Sequence, residues 1–320
     1  MKILVVGSVA LDDVETPFGA VEGVVGGAAT YFATVASLYA PINLVAVVGH
    51  DFPTDTVRFL QERGVDTSGL QIVPDGSTFH WAGRYDYDFN NCQTLQTDLN
   101  VFADFHPVLP EAYRDSELVF LANIDPVLQE EVLRQAPHAR LRVVDTMNYW
   151  ISDHRQALAR TLSLADVALM NEAEVRQFGG TSKLLTAARA ILDLGPRAVI
   201  VKRGEYGAMM ITRNDCFSVP AYPLEEVRDP TGAGDSFAGG LLGYMAASGD
   251  VSLDSLRRGI VHGCITGSFA VEDFSIRRLA GLRRDEIAER YNDFVRMTHF
   301  HDDAASAFPT LPVSSGGFGC

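Results

Sequence analysis

The chain has no GxxxxGK[ST] segment and no GxGxxG after its first apolar run, which excludes a P-loop enzyme and argues against a dinucleotide-binding fold. Basic residues are few. Twenty-six lysines and arginines against 41 aspartates and glutamates leave a formal charge of -15, so no basic surface is available to follow the phosphates of a nucleic acid or an anionic membrane. The four cysteines, Cys92, Cys216, Cys264 and Cys320, are scattered without CxxC or Cys/His ligand spacing, and neither a zinc site nor a disulfide scaffold is expected. No stretch approaches the roughly 18 apolar residues of a membrane span. The N-terminal MKILVVGSVALDD has too short an apolar run for a signal sequence and meets two aspartates early, so a cytoplasmic protein is expected.

What is present suits a large α/β protein: 320 residues, 47% of them hydrophobic, are enough for one large domain or two small ones. Apolar runs at Ile3 to Val6, Asn43 to Gly49, Leu118 to Ala122, Leu141 to Val144 and Val167 to Met170 read as strands covered on both faces. Helical segments separate most of them, the alternation of a mostly parallel sheet with helices on both faces. Ala198 to Val201 and the following KRGEYGAMMI read as a hairpin with glycines at its turn. Asp12 and Asp13, in the turn after the first run, fall where the carboxyl ends of such strands open onto a crevice. Ser77 to Asn90, STFHWAGRYDYDFN, alternates in part and is rich in aromatics, as in a strand with an aromatic face that could serve as a lid. Residues 301–320 lack periodicity and read as a flexible or docked tail beyond a domain of residues 1–300.

The stretch that carries chemistry is DPTGAGDSF, Asp229 to Phe237, followed by the helix-like AGGLLGYMAA. Thr231 is the expected N-cap, and Gly232, Ala233 and Gly234 are too small to shield their own amides. Those amides and the positive end of the helix dipole can hold a phosphate without a lysine nearby. Asp235, in the first turn, is then the candidate base, with an ordinary carboxylate pKa and full ionisation at pH 7.

DPTGAGDSFAGG resembles the C-terminal signature of the PfkB (ribokinase-like) family of carbohydrate and nucleoside kinases. The resemblance implies a three-layer ribokinase-like fold with a small β-sheet lid from segments about 12–25 and 75–105. It implies an anion hole at Gly232, Ala233 and Gly234 with Asp235 as base. It gives Asp12 to substrate hydroxyls and makes Gly26 and Gly27 the start of the GGxxxNxA signature, with Tyr31 where the family has asparagine. Trp81, Arg84, Tyr85 and Asp86 become lid contacts to the substrate. Asn171 and Glu174 match NxxE, whose carboxylate orients Mg2+ through water. Lys202, Gly204 and Gly207 match the nucleotide-side KxGxxG, with Thr231 beside the same phosphates. Asp145 and Asn148 resemble a DxNxR segment without its arginine, and His50, beside a partial VGxDxxG, is given no role. The implied reaction is ATP- and Mg2+-dependent phosphorylation of a hydroxyl of a small sugar or polyol. A nucleoside kinase and a non-catalytic sugar sensor are the alternatives, and the lid offers a homodimer interface.

Overall fold

The computed structural model describes residues 1–89 and 92–298; Asn90, last of the aromatic run, and the expected tail 301–320 lie outside the described residues. Strand β1 (Ile3–Val6) is apolar at every position and fully buried. It runs parallel to β4 (Ile42–Gly49) on one side and β8 (Leu118–Leu121) on the other, Ile3 facing Ile42 and Leu118. The remaining small-sheet strands are β2 (Ala10–Thr16), β3 (Gly19–Gly26), β6 (Phe79–Tyr85) and β7 (Cys92–Asp98). The large sheet continues with β5 (Val65–Val73), β9 (Leu141–Asp145), β10 (Val167–Asn171), β11 (Ala198–Lys202), β12 (Ala208–Ile211) and β13 (Cys216–Val219). Its order is β13-β12-β11-β10-β9-β8-β1-β4-β5, parallel except for the terminal β12 and β13.

Alternation explains why both faces of this sheet are dry. Ile3, Val5, Leu44, Phe120, Leu169 and Ile200 pack one way, against Phe32, Leu241 and Ile265 from helices Ala28–Ala36, Ala233–Ser248 and Leu253–Ala270. Leu4, Val6, Val45, Leu121, Val144 and Val199 pack the other way, against Leu158, Val175 and Ile191. Helix Ala233–Ser248 is glycine-rich, at a cost of roughly 0.5–1 kcal/mol for each glycine. Closeness explains the cost: a Cβ on residue 239 would lie 2.8 Å from the Phe32 carbonyl oxygen, and one on 240 would lie 2.1 Å from Thr266 Oγ1.

A second, smaller sheet has the order β3-β2-β6-β7 and is built from the two segments expected to form a lid. Asp12 lies within β2, not in a turn after β1: Ala10, Asp12, Val14 and Thr16 are buried and Glu15 is exposed, a strand's period of two. Strand β5 was missed because VDTSGLQIV is an edge strand covered on one side, and its polar residues hide the apolar signal.

Candidate active site

Lys202, at the end of β11, and Ala233 and Gly234, at the start of helix Ala233–Ser248, line one cavity; Asp145 of β9 and Glu174, just after β10, lie beside Lys202, and Tyr85 of β6 reaches the turn before the helix. The helix is capped differently from the sequence expectation. Its N-cap is Gly232, at φ 74°, and Thr231 donates its hydroxyl proton to Tyr85 Oη at 3.3 Å instead. Glycine is required at 232 because the φ is left-handed and because a Cβ would stand 2.3 Å from the Tyr31 ring. Asp229 shapes the loop by accepting the Thr231 amide at 2.8 Å. The Ala233 amide turns back to the Pro230 carbonyl at 3.2 Å, so the amides of Gly232, Gly234 and Asp235 are those left without a backbone partner among the described residues. Amides left open at the positive end of a helix can hold an anion.

The Asp235 side chain is half-buried in the first turn of the helix. Burial, helped by the charge of Asp145, lifts its pKa to about 7 even though Lys202 works against the rise. Desolvation thus outweighs the helix dipole, and the ordinary carboxylate pKa expected from the sequence is corrected. Glu174 forms a capping box with Asn171: the Glu174 amide donates to Asn171 Oδ1 at 2.8 Å and the Asn171 amide to Glu174 Oε2 at 2.7 Å. Among the described residues the box leaves Oε1 without a hydrogen bond, while burial brings the group's pKa to about 7. Lys202 Nζ pairs with Asp145 Oδ2 at 2.7 Å. Burial opposes the ammonium charge, but Asp145, Glu174 and Asp235 outweigh it and hold Lys202 above its usual range.

A cavity of about 500 Å³ opens from Lys202 and Gly234 past Gly204, Gly207 and Tyr222 to Gly263 and Gly267, enough room for a nucleotide. Gly204 and Gly207, at φ 55° and 83°, form the β11–β12 turn on its wall. Among the described residues no three His, Cys, Asp or Glu side chains gather as a metal cage. The donors that exist are carboxylates, and Glu174 has a free oxygen, which fits a hydrated Mg2+ carried in by a nucleotide and steadied through water.

On the acceptor side, Asp12 and Trp81 are register partners of the parallel β2–β6 pair and share a face. A Cβ on Gly26 would lie 1.8 Å from Asp12 Oδ2, so the glycine makes room for that carboxylate, whose pKa rises to about 7 through burial and the Asp229 charge. Gly27, at φ 90°, begins helix Ala28–Ala36, which carries Tyr31 between Asp12 and the Gly232 turn. Arg84 is not brought to the site. It pairs with Glu15 at 2.8 Å on the opposite face of the lid. Asp86 follows β6, and Asn148 starts helix Asn148–Asp153, three residues after the end of β9. Asp229, fully buried with Oδ2 unpartnered among the described residues, and the pairing of Asp145 with Lys202 carry no local signal in the sequence.

Residues 2–272 match the pfkB family carbohydrate kinase. The chain is 32% identical over 251 residues to the cytidine kinase of Thermococcus kodakarensis, covering 76% of this chain and 88% of that protein. It is 29% identical over 223 residues to the nucleoside kinase of Methanothermobacter thermautotrophicus, covering 68% and 70%. The crystal structure of Methanocaldococcus jannaschii nucleoside kinase, a ribokinase-family member, shares the fold with TM-score 0.74 at 23% identity, over 91% of this chain and 98% of that one. With both signatures gathered at one cleft and the match running through nearly the whole sheet, the chain belongs to the pfkB family of carbohydrate kinases, on the ribokinase-like fold.

Proposed function

We propose that the protein transfers the γ-phosphoryl group of ATP to a hydroxyl of a nucleoside, and that Asp235 is the base. The observation that carries the reaction type is the adjacency of the open Gly234 amide and the Asp235 carboxylate at one helix start. Nucleoside is the favoured acceptor because the relatives at 32% and 29% identity are a cytidine kinase and a nucleoside kinase. The aromatic side of Trp81 suits a base beside a ribose. A small sugar or polyol is the second reading, supported by the family's description as carbohydrate kinases.

In this mechanism Asp12 accepts hydroxyl protons of the acceptor and fixes its orientation. Asp235 aligns the attacking hydroxyl and takes its proton as the oxygen–phosphorus bond forms and the bond to the β-phosphate oxygen breaks, releasing ADP. The open amides stabilise charge on the phosphoryl oxygens. Glu174 and Asn171 would hold an Mg2+ arriving with the nucleotide through its waters, and that ion would supply further neutralisation of the phosphates. The small sheet is the surface we propose for a homodimer, β7 being exposed at all seven residues. Sedimentation would show a monomer if that is wrong.

ADP release measured over a panel of nucleosides, sugars and polyols tests the function. Turnover with nucleosides is expected. Turnover with free sugars alone moves the assignment to the second reading, and binding of a sugar without any turnover supports a sensor instead.

A further inference from the structure

Lys202 and Asp145 come from the ends of β11 and β9, on either side of β10. Asp145 is held at both its carboxylate and its backbone carbonyl. Asp145 Oδ1 accepts the Thr146 amide at 2.8 Å, and its carbonyl accepts Gln129 Nε2 at 2.9 Å. Gln129 is itself fully buried and donates to the Ala122 carbonyl at 2.9 Å, tying the ends of β8 and β9 together. The lysine is held more lightly. One of its three N–H groups is taken by Asp145 Oδ2 at 2.7 Å, and no other hydrogen bond of Nζ occurs among the described residues. A Cβ built on Gly234 would find Nζ as its nearest neighbour, at 3.0 Å. The ammonium therefore stands beside the open Gly234 amide, where a bound phosphoryl group would rest. The other cation on the cavity wall, Arg203, is engaged with Glu172 at 2.7 Å.

We propose that Lys202 is a catalytic cation for the phosphoryl group in transfer and that Asp145 is the residue that positions it. This rests on the phosphotransferase reading and adds two roles to it. Phosphoryl transfer involves little covalent work by the protein, so charge placed where the transition state becomes more negative is the main contribution available. A lysine is a point charge on a flexible stem and is useful only if restrained. Two other carboxylates, Glu174 and Asp235, lie within its field, and both draw on the same ammonium. Without Asp145, Lys202 would fall onto Asp235 and occupy the oxygens that must accept the substrate proton. With Asp145, one N–H is engaged and two remain available to the phosphate site.

Rates and nucleotide affinity measured on Lys202→Met, Asp145→Asn and the double variant test this. Lys202→Met should lower kcat by about 10²- to 10³-fold, the usual loss for one preorganised charge or donor, and weaken nucleotide binding less than tenfold. Asp145→Asn should lower kcat by about tenfold or more with nucleotide affinity nearly unchanged, because the residue acts through another and touches no ligand. The double variant should be no slower than Lys202→Met alone, since a positioning residue has nothing left to position. It also removes both members of the ion pair, so neither is left without the other. A structural role for Asp145 would instead add its full loss in the Lys202→Met background, and that result overturns the assignment. Near-normal kcat in Lys202→Met, with an active wild type, defeats the catalytic cation alone. A wild type that turns over no acceptor defeats the phosphotransferase reading, and the two failures are thereby distinct.

Discussion

The phosphate end of the cleft and the lid differ in how they are built. The phosphate end rests on the ends of buried parallel strands and a helix start, and Asp145, Glu174 and Asp229 there are 3%, 7% and 0% exposed. The lid is a four-stranded sheet whose β7 is exposed along its whole length, and Arg84 and Glu15 pair on its outer face. Rigidity and dryness make charges strong, which suits the step that moves phosphorus. A thin, solvated sheet is cheaper to remodel and suits the choice of acceptor. Chemistry should therefore belong to one region and selectivity to the other.

The largest effect that could break this division is at Asp235. Asp235→Asn keeps the size and loses the proton acceptor, so kcat should fall by roughly 10²- to 10⁴-fold while ATP and acceptor affinities change far less, as steady-state kinetics and titration would show. Next come the two glycines. Gly232→Ala forces a Cβ into the Tyr31 ring at a left-handed φ, and its melting temperature should drop by about 5–10 °C along with activity. Gly26→Ala meets Asp12 instead, so its damage should appear mainly in the acceptor KM. Equal effects of both on kcat would erase the distinction.

Acidity gives a third comparison. Asp12, Glu174 and Asp235 are each raised to about 7, so the folded protein keeps protons that the unfolded chain releases near pH 4. Unfolding thus becomes easier as pH rises from about 4 to about 7, and the ligand-free protein should melt lower at pH 8 than at pH 5.5. Asp235→Asn should recover part of that loss at pH 8, about 2–4 °C per kcal/mol relieved. In activity the sign reverses: kcat/KM should fall below about pH 7 as Asp235 gains a proton, and a flat profile down to pH 5 would remove it as base. The smallest effect is at the outer lid. Arg84→Ala breaks an exposed ion pair and should cost under about 1 kcal/mol in chemical denaturation, with acceptor KM unchanged.

How much of this could be read from the sequence follows the same line. Buried strands such as Ile3 to Val6 announce themselves as apolar runs, and DPTGAGDSF is contiguous, so the sheet and the helix start were legible. The lid's strands were legible through Trp81 and its aromatic neighbours, but which face each residue takes was not. A strand's alternation sends Arg84 outward, and its phase is set by the pairing of β2 with β6. Thr231 as N-cap followed local propensity, but the Tyr31 ring and Tyr85 hydroxyl set the turn otherwise. Pairings across the fold leave no local signal either: Lys202 and Asp145 are 57 residues apart in sequence. The raised pKa of Asp235 depends on burial and on that same Asp145, and neither is written within GAGD.

The division of labour is tested most directly by one acceptor profile, the ratio of kcat/KM for cytidine to that for ribose, measured in Asp235→Asn beside Trp81→Ala. Asp235→Asn should slow every accepted substrate by a common factor and leave the ratio where it is in the wild type. Trp81→Ala should change the ratio, by about tenfold for a lost stacking partner worth about 1.4 kcal/mol, with kcat for the better acceptor nearly intact. A ratio shifted by Asp235→Asn and unmoved by Trp81→Ala would contradict the account.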